Sequence, residues 1–348
     1  MYYARQSQSE NLRRSPLLDS LMPNHMFAII LIFAGSLYAL MRGADWLIEG
    51  SSSLAKRLNI SDLVVGLTVV AFGTSLPELV VSVQAALAGS SALAYANVIG
   101  SNTANTLLVL GMASIVTPIV TTDAVRKDLK FYALLILGFC ALIYYGNKGI
   151  SSIFFFESSL GLFGGVCLLA YFSFFIIRIL LSEKSALVNE AGDSSESTSL
   201  GKAILLVVVG LILTIVGGEV TVQSAIKIAT RIGVSETTIG LTIVAIGTSL
   251  PELVASLSMA SKGKPEMIVG NVLGSNVMNL SLVLGTAAVI SEVPIDTMES
   301  FDMVFHTVVG LIFLIFMLRP AKTFHLNRRI GSLFVLIYLA YMAFVGLR

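Results

Sequence analysis

Residues 66–82 read GLTVVAFGTSLPELVVS and residues 240–256 read GLTIVAIGTSLPELVAS, the same at fourteen of seventeen positions. Each copy carries one glutamate, Glu78 or Glu252, in an otherwise apolar stretch. A second block repeats at the same offset of 174 residues: GSNTANTLLVLG begins at Gly100 and GSNVMNLSLVLG at Gly274. The chain therefore reads as two homologous halves, each contributing a carboxylate.

Outside these blocks the composition sets the solvent. Hydrophobic residues make up 55% of the 348 positions and charged residues 12%, with a mean hydropathy of +0.88. That balance is foreign to water-soluble domains and ordinary for a chain that crosses a bilayer repeatedly. A hydrocarbon core about 30 Å thick needs about 20 apolar residues per helix. Ten stretches qualify: 26–55, 61–88, 93–118, 129–146 and 151–181, then 201–230, 235–261, 266–290, 300–318 and 328–347. The expected fold is an all-α polytopic membrane protein.

Five spans per half is an odd number, so the second half enters the bilayer with the opposite orientation. This predicts two inverted five-helix repeats, 26–181 and 201–348. Residues 1–25 are polar and lack an apolar signal core, and they read as a disordered tail. Residues 182–200, rich in Ser, Glu and Gly, read as a flexible linker. Assigned to alternate sides, the connections collect fourteen Lys and Arg on one side and seven on the other, with Arg42 inside a span. The positive-inside rule then places both termini outside and the linker in the cytoplasm. The expected location is a cell membrane bordering the cytoplasm.

A net charge of +1 supplies no field for nucleic acid. Cys140 and Cys167 fall in apolar stretches and read as free buried thiols. His25, His306 and His325 lie in different segments, so no His or Cys spacing suits zinc, copper or iron. Nor is a Ser and His pair placed for catalysis, which argues against an enzyme.

What the repeated blocks do offer is oxygen. An intramembrane carboxylate costs about 2.5–3.5 kcal/mol on insertion scales and so needs a partner or a polar path. Pro77 and Pro251, which lack an amide hydrogen, precede the two glutamates and should break the helix, loosening carbonyls around Ala71–Gly73 and Ala245–Gly247. Thr74 and Thr248 stand four residues before the glutamates and would share their face in an unbroken helix. Ser75 and Ser249 add hydroxyls. Ser101 with Asn105, and Ser275 with Asn279, repeat the i, i+4 spacing. Such a set suits a hard cation, since Ca2+ takes 6 to 8 oxygens and two carboxylates balance its charge. Asp45 and Glu219, also 174 apart, read equally well as structural carboxylates and stay outside the site. Trp46 reads as an interfacial or packing residue.

GTSLPE followed by GSNxxN, present twice, resembles the cation/calcium exchanger superfamily, most closely its prokaryotic sodium/calcium exchanger-like branch, over nearly the whole chain. The resemblance implies an antiporter working by alternating access, with Ca2+ exchanged for Na+ at a site between the second, third, seventh and eighth helices. It implies Ca2+ ligands at Glu78, Glu252 and the carbonyls of Thr74 and Thr248. Sodium would use the carbonyls of Ala71 and Ala245 with Ser75, Ser249, Ser101 and Ser275, and Asn105 and Asn279 at the centre. Several relatives carry aspartate where this chain has Asn279, which leaves the two glutamates as the only central carboxylates. In this reading the first and sixth helices slide to expose one pocket to alternate faces, and one chain closes the site by itself. The alternatives are exchange of H+ for Ca2+ or another divalent cation, and, from a different class, a cation channel whose glutamates form a selectivity ring.

Overall fold

The structure, a computed structural model, describes residues 25–58, 60–120, 129–139, 158–186, 199–234, 245–295, 297–317 and 325–346. Helices α1 (Met26–Leu58), α2 (Asp62–Thr74), α3 (Leu76–Leu87), α4 (Ser91–Val116) and α5 (Leu129–Phe139) are followed by α6 (Leu162–Ala186) and α7 (Leu200–Arg231). A helical turn at Ala245–Gly247 leads to α8 (Leu250–Ser261), α9 (Pro265–Ile290), α10 (Thr297–Met317) and α11 (Arg328–Gly346). Among the described residues six helices are long and apolar enough to cross a membrane, or seven if the bent pair α2 and α3 counts as one span.

The side chains are distributed as a bilayer demands. Large apolar residues such as Tyr38, Leu134, Phe163, Ile212 and Leu336 lie exposed, while Thr74, Glu78, Asn105, Glu252, Ser275 and Asn279 are buried. Helices face lipid with hydrocarbon and keep their polar groups for one another. The burial is concentrated in α4 and α9, 83% and 78% buried over their apolar windows against 22% to 33% for α1, α6, α7 and α11. The two GSN helices are thus the centre of the bundle.

Around that centre, elements 174 residues apart make matching contacts across the halves. Helix α3 packs on the C-terminal turns of α9, and α8 on those of α4. At the periphery α1 and α7 pack along their length, and they run antiparallel: Gly43 meets Gly210 and Thr214, Gly50 meets Ala203, and Ser36 meets Gly217. A Cβ on Gly43 would stand 2.9 Å from the Gly210 carbonyl oxygen, and one on Gly210 would stand 2.8 Å from that of Gly43. With lipid as apolar as leucine, such backbone-to-backbone fit is what holds membrane helices together.

Several boundaries differ from expectation. Residues 158–160, expected within the fifth span, form strand β2, which pairs antiparallel with β3 (Val293–Ile295); β1 (Ile119–Val120) pairs likewise with β4 (His325–Leu326). These two-to-three-residue ladders lie just beyond helix ends, where apolar content alone cannot separate strand from helix. Helix α6 continues to Ala186, five residues into the stretch read as linker. The tail through residue 24, Cys140, the remainder of the linker from 187 to 198, and residues 235–244 lie outside the described residues. Cys167 is a free, partly buried thiol.

Candidate cation site

Both glutamate motifs break in the same way. Ser75 adopts φ −87°, ψ 4° and Ser249 φ −86°, ψ 6°, and each caps a helix with proline in its first two positions. The physical reason is the one read from the sequence: Pro77 has no amide to offer the Gly73 carbonyl, so α2 stops and α3 restarts at a 46° bend. The break reverses one expectation. The Ala71 carbonyl, expected to be loosened, accepts the Ser75 amide at 3.0 Å; the shared face of Thr74 and Glu78 was conditional on an unbroken helix, and the helix is interrupted at Ser75 between them. Restarting the helix places Glu78 and Glu252 in first turns, where the positive end of the helix dipole favours a carboxylate by about 0.3–2 kcal/mol.

Both glutamates are fully buried and near enough to repel one another. Ser75 donates to Glu252 Oε1 at 3.1 Å. Ser101 shares a hydrogen bond with Thr248 at 3.3 Å, beside Glu78, and Ser275 stands beside Glu252. Asn105 and Asn279 each open a π-helical stretch, 105–109 and 279–283; the first packs against α8 and the second against α3. Single π turns widen a helix locally and recur at functional positions. Thr248 is only partly buried, and of Ala245 the helical backbone alone is described.

The polar atoms around the glutamates are left unsatisfied. Both Glu78 oxygens, Glu252 Oε2, the Asn105 and Asn279 amides, and the hydroxyls of Ser249 and Ser275 are buried without a hydrogen-bond partner. A buried polar atom without a partner costs about 1–3 kcal/mol, and more if charged, so this concentration is not a packing solution. It gathers three carboxylate oxygens with two amide and two hydroxyl oxygens, within the number a Ca2+ ion takes; the amide N–H and hydroxyl donors beside them are partnerless too, so it is the two carboxylates that suit the set to a cation.

A supporting layer escaped the sequence reading. Asn97 Nδ2 donates to Ser82 Oγ at 3.0 Å and to the Glu78 carbonyl at 3.3 Å. Its counterpart Asn271 donates to Ser256 at 3.2 Å and accepts the Thr74 hydroxyl at 3.4 Å. Further out, Asn102 donates to the Asn276 carbonyl at 3.1 Å, and Asn276 to Thr106 at 3.0 Å and Tyr132 at 3.2 Å. All three pairs, 97/271, 82/256 and 102/276, recur at the 174-residue offset, which was the available signal.

Asp45 and Glu219 are engaged elsewhere. Asp45 accepts from Ser258 at 2.6 Å and pairs with Lys262 at 3.2 Å, and Glu219 accepts from Gln223 at 3.0 Å. Trp46 lies under the Arg42 guanidinium, 5.6 Å from its ring centre, as an interfacial aromatic would.

Comparison with known proteins places the chain in a family. The family model described as sodium/calcium exchanger protein matches residues 28–181 and 202–347. An uncharacterized membrane protein of Methanocaldococcus jannaschii is 34% identical over 89% of this chain and 96% of its own length. The sodium/calcium exchanger MaX1 of Methanosarcina acetivorans is 30% identical over 91% and 97%. A structure of the sodium-calcium exchanger NCX_Mj, soaked with Na+ and Sr2+, superimposes with a TM-score of 0.76 at 31% identity, covering 92% of this chain and 99% of that one.

Proposed function

We propose that this chain, which belongs to the sodium/calcium exchanger protein family, is a secondary antiporter that exchanges Ca2+ for Na+ by alternating access at the glutamate pocket. Its membership makes it a membrane protein of cation and calcium exchange. The observation that carries the finer reading is the cluster of buried, partnerless oxygens around Glu78 and Glu252.

In this reading Glu78, Glu252 and the carbonyls of Thr74 and Thr248 hold Ca2+. The carbonyls of Ala71 and Ala245, the hydroxyls of Ser75, Ser249, Ser101 and Ser275, and Asn105 and Asn279 take Na+ when Ca2+ has left. The Ala71 carbonyl already accepts the Ser75 amide at 3.0 Å and lies 3.5 Å from the Thr74 hydroxyl, so it would take Na+ when that hydroxyl turns away. Because the two ions draw on one set of oxygens, loading with either displaces the other, and displacement is the exchange.

Ten spans in two inverted halves provide the alternation. The antiparallel run of α1 against its own counterpart α7 supports inversion, and so do the matched contacts of α3 with α9 and α8 with α4. Inverted halves can exchange conformations, giving two openings of similar energy around one fixed site. Sliding of the α1 and α7 pair would uncover each face in turn, with the linker cytoplasmic and the termini outside a prokaryotic inner membrane.

The test is Ca2+ uptake into proteoliposomes loaded with Na+, K+ or buffer alone. Uptake that saturates and requires internal Na+ is expected. Uptake driven by a pH gradient without Na+ would make H+ the coupling ion, and unsaturating flux without a counter-ion would make the protein a channel. Full activity of Glu78→Gln or Glu252→Gln would sink the shared pocket.

A further inference from the structure

We propose that Asn97 and Asn271 are positioning residues that take turns holding the threonine hydroxyl of the opposite half, one in each of the two states of the exchanger. This rests on the alternating-access reading above.

The pocket and its supports consist of chemically identical pairs at the 174-residue offset: Thr74 and Thr248, Ser75 and Ser249, Glu78 and Glu252, Asn97 and Asn271, Ser101 and Ser275. Their hydrogen bonds are nevertheless unlike. The Thr74 hydroxyl is shared between Asn271 Oδ1 at 3.4 Å and the Ala71 carbonyl at 3.5 Å, whereas Thr248 pairs with Ser101 at 3.3 Å. Ser75 reaches Glu252 at 3.1 Å, whereas the Ser249 hydroxyl and both Glu78 oxygens have no partner. Asn97 reaches the Glu78 carbonyl at 3.3 Å; among the described residues Asn271 makes no such bond to Glu252.

Identical residues do not encode different bonds, so the difference is conformational. Exchanging the halves produces a second set of the same composition: Thr248 on Asn97, Thr74 on Ser275, Ser249 on Glu78, and Asn271 on the Glu252 carbonyl. The two sets are related by a single local step. Asn271 and Ser275 are four residues apart on α9, as Asn97 and Ser101 are on α4, so each threonine moves one turn, about 6 Å, along the helix facing it. A one-turn ratchet of one element past another is a known form of two-state transition.

Two features suit the asparagines to this role. Both are anchored through the amide nitrogen in the same way, to Ser82 at 3.0 Å and Ser256 at 3.2 Å, so the side chain stays in place while its oxygen gains or loses a hydroxyl. Both also sit four residues before Ser101 and Ser275, and a threonine leaving the asparagine therefore meets a serine hydroxyl and is not stranded. Thr74 and Thr248 in turn immediately precede the breaks at Ser75 and Ser249, the points at which the motif helices are free to pivot.

The experiment uses Asn97→Ala and Asn271→Ala in proteoliposomes of known orientation, with half-saturating Ca2+ measured at each face. The expected result is that the ratio of the two values moves in opposite directions for the two variants, each by about three- to tenfold for one hydrogen bond. Thr74→Val keeps the side-chain shape and the backbone carbonyl, and should move the ratio in the direction of Asn271→Ala. Shifts of both asparagine variants in one direction, or an unchanged ratio, would overturn the proposal, as would Thr74→Val following Asn97→Ala. If either alanine variant fails to fold, Thr74→Val measured alone against the unaltered chain decides, an unchanged ratio overturning the proposal. Absence of Ca2+ exchange by the unaltered chain would overturn the functional reading itself, and this proposal with it.

Discussion

Ser75 donates its hydroxyl to Glu252 across the two halves at 3.1 Å, while Glu78, on the helix that Ser75 itself caps, has neither carboxylate oxygen hydrogen-bonded. The two glutamates are therefore equivalent in sequence and unequal in place. Glu252 is held, and Glu78 is bare. A bare buried carboxyl either carries a proton or is met by a ligand, because desolvating its charge costs more than one hydrogen bond returns.

Both glutamates should be indispensable, with unequal supports. Glu78→Gln and Glu252→Gln are each expected to weaken Ca2+ binding by about a hundredfold or more, since each removes one of two charges from a dry site. Ser75→Ala should weaken it by about three- to tenfold, the scale of one hydrogen bond to a charged group. Isothermal titration of the purified protein with Ca2+ checks all three, and a Ser75→Ala loss as large as that of the glutamates would mean the serine is itself a principal ligand.

Proton competition should follow from the same carboxylates. Ca2+ binds their ionised form, so its binding releases any proton they carry, and affinity must fall as pH falls through their titration. The slope of log affinity against pH should approach at most two for the unaltered chain and one for either glutamine variant. A slope unchanged in both variants would place the titrating groups elsewhere.

The proline breaks lend themselves to a separate test. Pro77→Ala restores an amide that can reach the Gly73 carbonyl and removes the cause of the 46° bend. Thermal stability in detergent should hold or rise, while the Ca2+ exchange rate drops by more than about tenfold. The same change at Pro251 should behave alike, because Ser75 and Ser249 break with the same backbone angles. Loss of stability in step with activity would make the prolines structural.

How much of this was legible beforehand depended on what repeats. The breaks, the glutamates and the GSN helices were readable because a polar residue costs so much in a membrane that two copies at one spacing need a common reason. The π turns opened by Asn105 and Asn279 were not, since a shift of one residue in the backbone ladder leaves composition and periodicity unaltered. Asn97 and Asn271 were passed over for a different reason. A lone amide in a helix reads as packing until its depth and partners are known, and here the depth comes from α4 and α9 lying at the centre of the bundle. The short strands were missed because two or three apolar residues carry no period at all.

The close fit of α1 and α7 predicts an effect far from the pocket. Gly43→Ala would bring a methyl group to 2.7 Å from Leu213 Cβ and the Thr214 amide nitrogen, so the pair must spread. Overpacking of this kind costs about 1–3 kcal/mol, and the melting temperature should fall. Ca2+ affinity at equilibrium should change by less than about twofold, since the atoms nearest the added methyl belong to Gly210, Leu213 and Thr214, none of them in the pocket, while the exchange rate falls because a spread pair cannot slide in register. A rate that follows the melting temperature but recovers fully on cooling would separate the packing defect from any part in alternation.

The last prediction concerns Asn279, whose amide has no partner on either atom. Asn279→Asp adds a third carboxylate to a site that holds two, and it does so where the π turn brings α9 against α3. With Ca2+ bound, three ionised carboxylates leave one uncompensated negative charge in a dry pocket, so the aspartate should either take up a proton or recruit a further monovalent cation. In the first outcome that proton stays when Ca2+ binds, so the slope of log affinity against pH keeps its limit of two, and the Ca2+-bound variant shows the infrared carbonyl band of a protonated carboxyl. The second raises the number of Na+ moved per Ca2+, read as a change in the membrane potential at which net Ca2+ flux reverses. Asn105→Asp poses the same choice from the other half, at the position 174 residues earlier. A variant with neither that band nor a shifted reversal potential would show that residue 279 stands outside the ion path.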